Sequence, residues 1–291
     1  MIGVIDKGEG FAMKSTRLAI VIAAVCLLVP VAAQGQTLPP EIEKSKVVRV
    51  ALNTGYPPLE MKDPKTNEII GFDIDLAAAM AKVLGVKIEY QDGAFENMTP
   101  ALQSGRVDMI MSGFYDIPKR RPMFRFIDYL KAGAQFYTLT SSNELQKLTD
   151  LCGKTITTTR GTSYPDTVKA WSEKNCVAAG KQPITVMVDT DLGQQLTNLK
   201  TGRAAAAVQG LEAVPTIVQT EPGVYRPLGE PFSSTLMGMA FQGDGDNTLR
   251  EAFASALKKV IADGTYDQLI KKWKLDLSSY KDVTFDAGPT P

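Results

Sequence analysis

Residues 56–59 read YPPL, residues 71–84 GFDIDLAAAMAKVL and residues 95–115 FENMTPALQSGRVDMIMSGFY, and an arginine stands at position 120. In order these give an aromatic-proline turn, a helix start, a lone Phe95 before a short helix, and an apolar strand ending in Ser112-Gly113-Phe114-Tyr115. The spacing predicts a helix over Asp73–Leu84, with Asp73 as N-cap and Gly85 past its end. Its apolar stripe would be Ile74, Ala77, Ala78, Ala81 and Leu84. Strands are expected at Val86–Tyr90 and Val107–Ser112, with a short helix Met98–Gln103 between them. Arg120, a few residues beyond a strand end and near aromatic rings, suits a small carboxylate. Its guanidinium is permanently charged and can meet both carboxylate oxygens at once.

The alternation extends both ways. Val47–Leu52 reads as a strand, and after position 150 the pattern starts again. Strands are expected at Lys154–Thr159, Ile184–Val188 and Ala204–Val208, with helices at Ser163–Glu173 and Asp191–Lys200. Further helices are expected at Leu211–Val218, Asn247–Ile261 and Thr265–Trp273. Strand–helix alternation predicts an α/β fold with mainly parallel sheets, and its repetition predicts two lobes. No linker rich in Pro, Ser or Gly separates them, so ordered strands should join them, with Ala134–Thr140 and Leu236–Gln242 as candidates. The tail after Tyr280 reads as poorly ordered.

Composition narrows the chemistry. With 44% hydrophobic and 22% charged residues the chain is globular, and its zero net charge recommends no nucleic-acid partner. Histidine is absent, which removes Ser-His-Asp and Cys-His nucleophile systems and histidine metal sites. Lys14 and Arg17 precede an apolar run, Leu18–Ala33, followed by small residues: the order of a secretory signal peptide, with Met13 as the natural start. The run falls short of the ~20 apolar residues of a spanning helix, and the competing reading is a retained anchor. Cys26 follows Val25 rather than a small residue, so a lipid anchor is disfavoured. Two cysteines remain after export, Cys152 and Cys176. A disulfide is favoured in an oxidising compartment, with two buried thiols as the alternative, and they supply too few ligands for a metal.

These segments resemble the family 3 periplasmic solute-binding proteins, which deliver amino acids to ABC importers. The match runs in order through Tyr56-Pro57-Pro58-Leu59, Gly71–Leu76, Pro100–Asp108, Gly153-Lys154 with Arg160-Gly161-Thr162-Ser163, and Asp263–Asp267 with Lys271-Lys272-Trp273. The resemblance implies a type II periplasmic binding protein: two α/β lobes, two hinge strands and a ligand cleft between. Residues 1–35 would be extension and signal, 36–133 with 235–291 the first lobe, and 134–234 the second. It implies a periplasmic monomer without cofactor or catalysis, working with a membrane permease and an ATPase subunit. Gly153-Lys154-Thr155 lacks the P-loop's earlier glycine, because Leu148 stands there.

The resemblance also assigns roles. Tyr56 and Phe95 would wall the ligand, Ser112, Gly113 and Tyr115 would offer backbone groups, and Arg120 would clamp the carboxylate. Thr162 and Ser163 would close on it from the second lobe. Asn53, Phe114 and Arg160 complete the candidates. Relatives usually hold the ligand's ammonium with an acid where Gly210 stands here, so Glu212, or with less support Gln209, would take over. Otherwise the ligand is not an ordinary α-amino acid. A buried ammonium without a carboxylate costs several kcal/mol, and the expected cargo is a polar, non-cationic carboxylate. The rival class is the secreted cyclohexadienyl dehydratases, which resemble the same fold. They carry a glutamate where Tyr164 stands, which disfavours them.

Overall fold

The computed structural model describes residues 37–289, together with Gly3 and Gly8. The expected signal segment, the Met13 start and Cys26 lie outside the described residues. Val47–Leu52 runs parallel to Lys87–Asp92 on one side and to Met109–Ile110 on the other. Parallel neighbours need a crossover, supplied here by the helices Phe72–Leu84 and Met98–Gln103. A strand from late in the chain, Thr235–Gln242, enters this sheet antiparallel. It pairs with Met109–Ile110, Tyr115–Asp116 and the long strand Phe124–Ala132.

The second sheet repeats the plan. Thr155–Thr159 lies between Thr185–Asp189 and Ala206–Gly210, all parallel, and Ala134–Leu139 and Tyr225–Leu228 extend the sheet antiparallel. This is the two-lobed α/β architecture expected. The chain crosses from the first sheet to the second at Gly133 and returns between Leu228 and Thr235. The two crossings touch: Ala134 N donates to Ser233 Oγ at 2.8 Å, and Phe232 N to Ala134 O at 2.9 Å. The segments expected to join the lobes flank these crossings, one in each sheet.

Several local expectations are corrected. The first long helix begins at Phe72 after Gly71, and Asp73 is no cap: it is buried and accepts from Tyr129 Oη at 2.9 Å. The buried face is Phe72, Leu76, Ala77, Met80, Ala81 and Leu84, whereas Ala78 is exposed. Phe72 packs against Tyr129 and Tyr266, which ties the helix to the sheet and to the helix Thr265–Trp273. The expected strand Val107–Ser112 shortens to Met109–Ile110, although Asp108 N and Met111 N on either side still donate to Arg49 O and Ala51 O of the neighbouring strand. The described part of the tail after Tyr280 is bound: Thr284 Oγ1 donates to Asp128 Oδ2 at 2.9 Å and Gly288 N to Asp116 Oδ2 at 2.7 Å. Thr290 and Pro291 lie outside the described residues. Among the described residues no helix is long and apolar enough to cross a membrane.

Cys152 and Cys176 form a disulfide across a sequence separation of 24. It ties the turn Leu148–Leu151 to the end of the helix Tyr164–Asn175. Closing a loop of that length removes unfolded-state entropy worth about 3 kcal/mol. Replacing both cysteines with serine should therefore lower Tm by roughly 10 °C for a chain of this size, read by thermal unfolding. An unchanged Tm would show that the bridge constrains nothing the fold does not already fix.

Candidate functional site

In open α/β sheets ligands bind beyond the carboxyl ends of the strands, and here those ends of both sheets border one cleft. From the first lobe come Asn53, after Val47–Leu52, and Gly113 and Tyr115, after Met109–Ile110. From the second come Thr159 and Gln209, on strand ends, and Thr162, Ser163 and Tyr164, where the helix Tyr164–Asn175 begins. Tyr56, Phe95 and Arg120 complete the wall. The cleft is narrow, with a cavity volume of about 40 Å³.

Arg120 is the charged centre. It is 8% exposed, and its guanidinium carbon lies 3.7 Å from the Phe114 ring centroid and 5.8 Å from that of Phe95. Nη1 donates to Tyr115 O at 2.9 Å, and Nη2 to Gly161 O of the opposite lobe at 3.5 Å. No carboxylate among the described residues pairs with it. Burial pushes its pKa down to about 10, which leaves it charged at neutral pH. Neighbouring Arg121 differs: its Nε and Nη2 grip the Asp116 carboxylate at 2.8 and 3.0 Å. Gly161, which Arg120 touches from the other lobe, leads into the N-terminus of the helix Tyr164–Asn175, whose dipole favours an anion. There Tyr164 N is taken by Thr162 Oγ1 at 3.3 Å, and Pro165 has no N–H.

A second cluster bridges the lobes. Tyr56 Oη donates to Glu212 Oε1 at 2.5 Å and Tyr115 Oη to the same oxygen at 3.1 Å. Tyr164 Oη lies 3.0 Å from each of those hydroxyls. Glu212 is 3% exposed, and its other oxygen, Oε2, has no hydrogen-bond partner among the described residues. Burial pushes the Glu212 carboxyl up to about 7, although the tyrosine hydroxyls pull the other way. Burial, with Glu212 adding to it, pushes Tyr56 and Tyr115 well above the usual phenol range. A Cβ built on Gly210 would stand 1.8 Å from Glu212 Oε1 and 2.3 Å from Tyr56 Oη. The Glu212 carboxylate therefore fills the room a side chain at position 210 would occupy. Gln209 turns elsewhere, its Nε2 donating to Gln195 Oε1 at 2.9 Å and Thr159 Oγ1 at 3.3 Å.

The other candidates divide. Ser112 is buried behind the wall, its Oγ accepting from Asn53 N at 2.9 Å. Asn53 itself is engaged, its side chain donating to Gly93 O and accepting from Gly55 N. Phe114 lies beneath Arg120 rather than on the cleft surface. Arg160 does not line the cleft; it approaches Glu96 of the other lobe at 3.9 Å. Thr159, Tyr164, Asp191 and Leu192 line the cleft without having been assigned a place in it from the sequence. Asp191 caps the helix Leu192–Lys200, accepting from Gln194 N at 2.9 Å. Asn53 and Gly113 came from the resemblance; a rule that ligand groups gather at the ends of parallel strands would also have found Thr159 and Asp191.

Residues 48–276 match the family described as bacterial extracellular solute-binding proteins, family 3. The arginine-binding protein ArgT of Corynebacterium glutamicum is 31% identical over 240 residues, 82% of this chain and 78% of that protein. A P235GK mutant of ArgBP from T. maritima superposes with a TM-score of 0.72 at 29% identity, covering 81% of this chain and 98% of that one. An ancestral arginine-binding protein bound to glutamine does so at 0.70 and 32% identity, over 78% and 97%.

Proposed function

The chain belongs to family 3 of the bacterial extracellular solute-binding proteins, and on that footing we propose that it is the periplasmic receptor of an ABC importer. It captures a small carboxylate-bearing solute, an amino acid or a close analogue, and delivers it to a membrane permease coupled to an ATPase. The observation that carries this is Arg120, a buried cation in an inter-lobe cleft with no carboxylate of its own. An unpaired buried charge is costly, and a ligand carboxylate would remove that cost. Thr162 and Ser163 would complete the grip at the facing helix N-terminus, with Tyr56 and Phe95 as walls.

The lobes are taken as 36–133 with 235–291 and 134–234, hinged at the paired crossings. Solute bound to one lobe recruits the other and shifts the population toward the closed form. The cargo's remaining polar end is uncharged in this reading. Asp191 is spent as a helix cap, the Asn53 amide is neutral, and Glu212 lies under three phenols. Relatives named for arginine make that a point to test. A thermal-shift series with L-glutamine, L-arginine, L-histidine and amino-free organic acids decides it. A ligand at 1,000 times its Kd adds about 4 kcal/mol. Micromolar arginine binding by calorimetry would overturn the uncharged end, and no shift with any carboxylate would overturn the receptor reading.

A further inference from the structure

We propose that the C-terminal segment Thr284–Gly288 is a strap that holds the Arg120 turn in its ligand-binding form. The inference rests on the carboxylate-clamp reading of Arg120. The short strand Tyr115–Asp116 leads into the turn that carries Arg120, and Arg120 Nη1 donates back to Tyr115 O. The next residue along from each, Asp116 and Arg121, forms a salt bridge, with the Asp116 side chain wholly buried. The strap closes on this pair. Gly288 N donates to Asp116 Oδ2 at 2.7 Å, and Arg121 Nη2 donates to Gly288 O at 2.6 Å. One residue, 172 positions downstream of Asp116, thus meets both members of the pair, through its N–H and its carbonyl.

Only glycine fits there, since a Cβ at position 288 would stand 2.0 Å from Asp116 O. The rest of the strap is anchored away from the cleft. Asp128 N donates to Thr284 O at 3.0 Å, Ala287 N to Asp128 Oδ2 at 3.2 Å, and Phe126 N to Asp286 Oδ1 at 2.8 Å. Arg250 pairs with Asp286 at 3.3 Å. These bonds fix the strap to the long strand Phe124–Ala132, so Gly288 arrives at Asp116 from a rigid support. Neither Arg121 nor Gly288 lines the cleft, so both would act through Arg120 and Tyr115.

The test uses the exported full chain, a chain ended before Gly288, and full-length Gly288→Val. Hydrogen exchange needs no ligand. The amides of Arg120, Met123 and Phe124, bonded within the turn, should exchange about tenfold faster in both variants, with the second lobe unchanged. Calorimetry with whichever of L-glutamine, L-arginine or L-histidine binds the wild type should show Kd raised by roughly tenfold. Arg121→Ala should raise Kd similarly, and combining it with the truncation should add little, because the two changes break one linkage. Unchanged exchange in the turn, or wild-type Kd despite faster exchange, would overturn the strap. If the wild type binds none of the three, the exchange result still decides whether the strap holds the turn, and the failure falls on the receptor reading.

Discussion

Replacing Arg120 with alanine should abolish ligand capture while leaving the unliganded protein nearly as stable as before. In the bound state the ligand carboxylate would be desolvated against this guanidinium and the facing helix N-terminus. Removing one partner of such a buried pair costs about 3–5 kcal/mol. Kd should rise by at least 10²-fold on that estimate, measured by calorimetry. The unliganded protein loses different things. It gives up the ring contact with Phe114, together with the bonds to Tyr115 O and Gly161 O. It also sheds the cost of keeping a cation buried without a counter-charge. These terms oppose each other, so Tm should move by no more than about 4 °C, or roughly 1–2 kcal/mol at this chain length. Arg120→Lys should fall between, since a single ammonium cannot meet two oxygens in a fork. Wild-type affinity in the alanine variant would remove Arg120 from the binding site. A large fall in Tm without ligand would make it a structural residue instead.

Legibility followed the range of the interactions. Val47–Leu52, Met98–Gln103 and Thr265–Trp273 have the bounds their sequence announces, because their periodicity and punctuation are local. The long strand Phe124–Ala132 had no such signal. Its residues are buried almost throughout, and its partner, Thr235–Gln242, lies more than a hundred residues downstream. The strands Gly55–Tyr56, Glu60–Lys62 and Ile69–Ile70 are too short for a period to register. Asp73 shows how a local rule loses to a distant partner: a carboxylate at a helix start reads as a cap, yet Tyr129 claims it. The stripe of that helix was misplaced because apolar residues nearly encircle it, so period alone could not choose the buried face. Of the cleft lining, Tyr56 was announced by its aromatic-proline turn and Arg120 by its place after a strand end. The Tyr56–Tyr115–Tyr164–Glu212 cluster was not, since it exists only where two lobes meet. The missing acid at Gly210 was readable, and the geometry shows Glu212 filling its space from two residues on.

Glu212→Gln should make the protein more stable than wild type above pH 7 and indistinguishable from it below about pH 4.5. In the fold the Glu212 carboxyl is pushed up to about 7 by burial, against roughly 4.3 in an unfolded chain. Between those values the folded state keeps a proton that the unfolded state gives up. Stability therefore falls as pH rises through this window and levels off above it. The spread is worth about 4 kcal/mol at 1.36 kcal/mol per pH unit. Glutamine imitates the protonated acid, still accepts from Tyr56 and Tyr115, and so removes this share of the slope. Other buried acids act in the same direction. Burial raises Asp73 and Asp128 to about 7 and Glu60 well above its ordinary range, and Glu60 and Asp73 both sense the Glu212 charge. Both proteins will therefore lose stability on going from pH 4.5 to 8, and the difference between their urea unfolding curves isolates Glu212. A pH-independent difference would show that this carboxyl titrates normally. The same linkage reaches the cargo. A ligand whose ammonium meets the tyrosine cluster would be favoured by an ionised Glu212, so near pH 6 its binding must release a proton. Calorimetric heats in buffers of different ionisation enthalpy read that proton directly. A cargo without an ammonium would leave those heats independent of buffer, which makes the Glu212 proton a test of what the cleft carries.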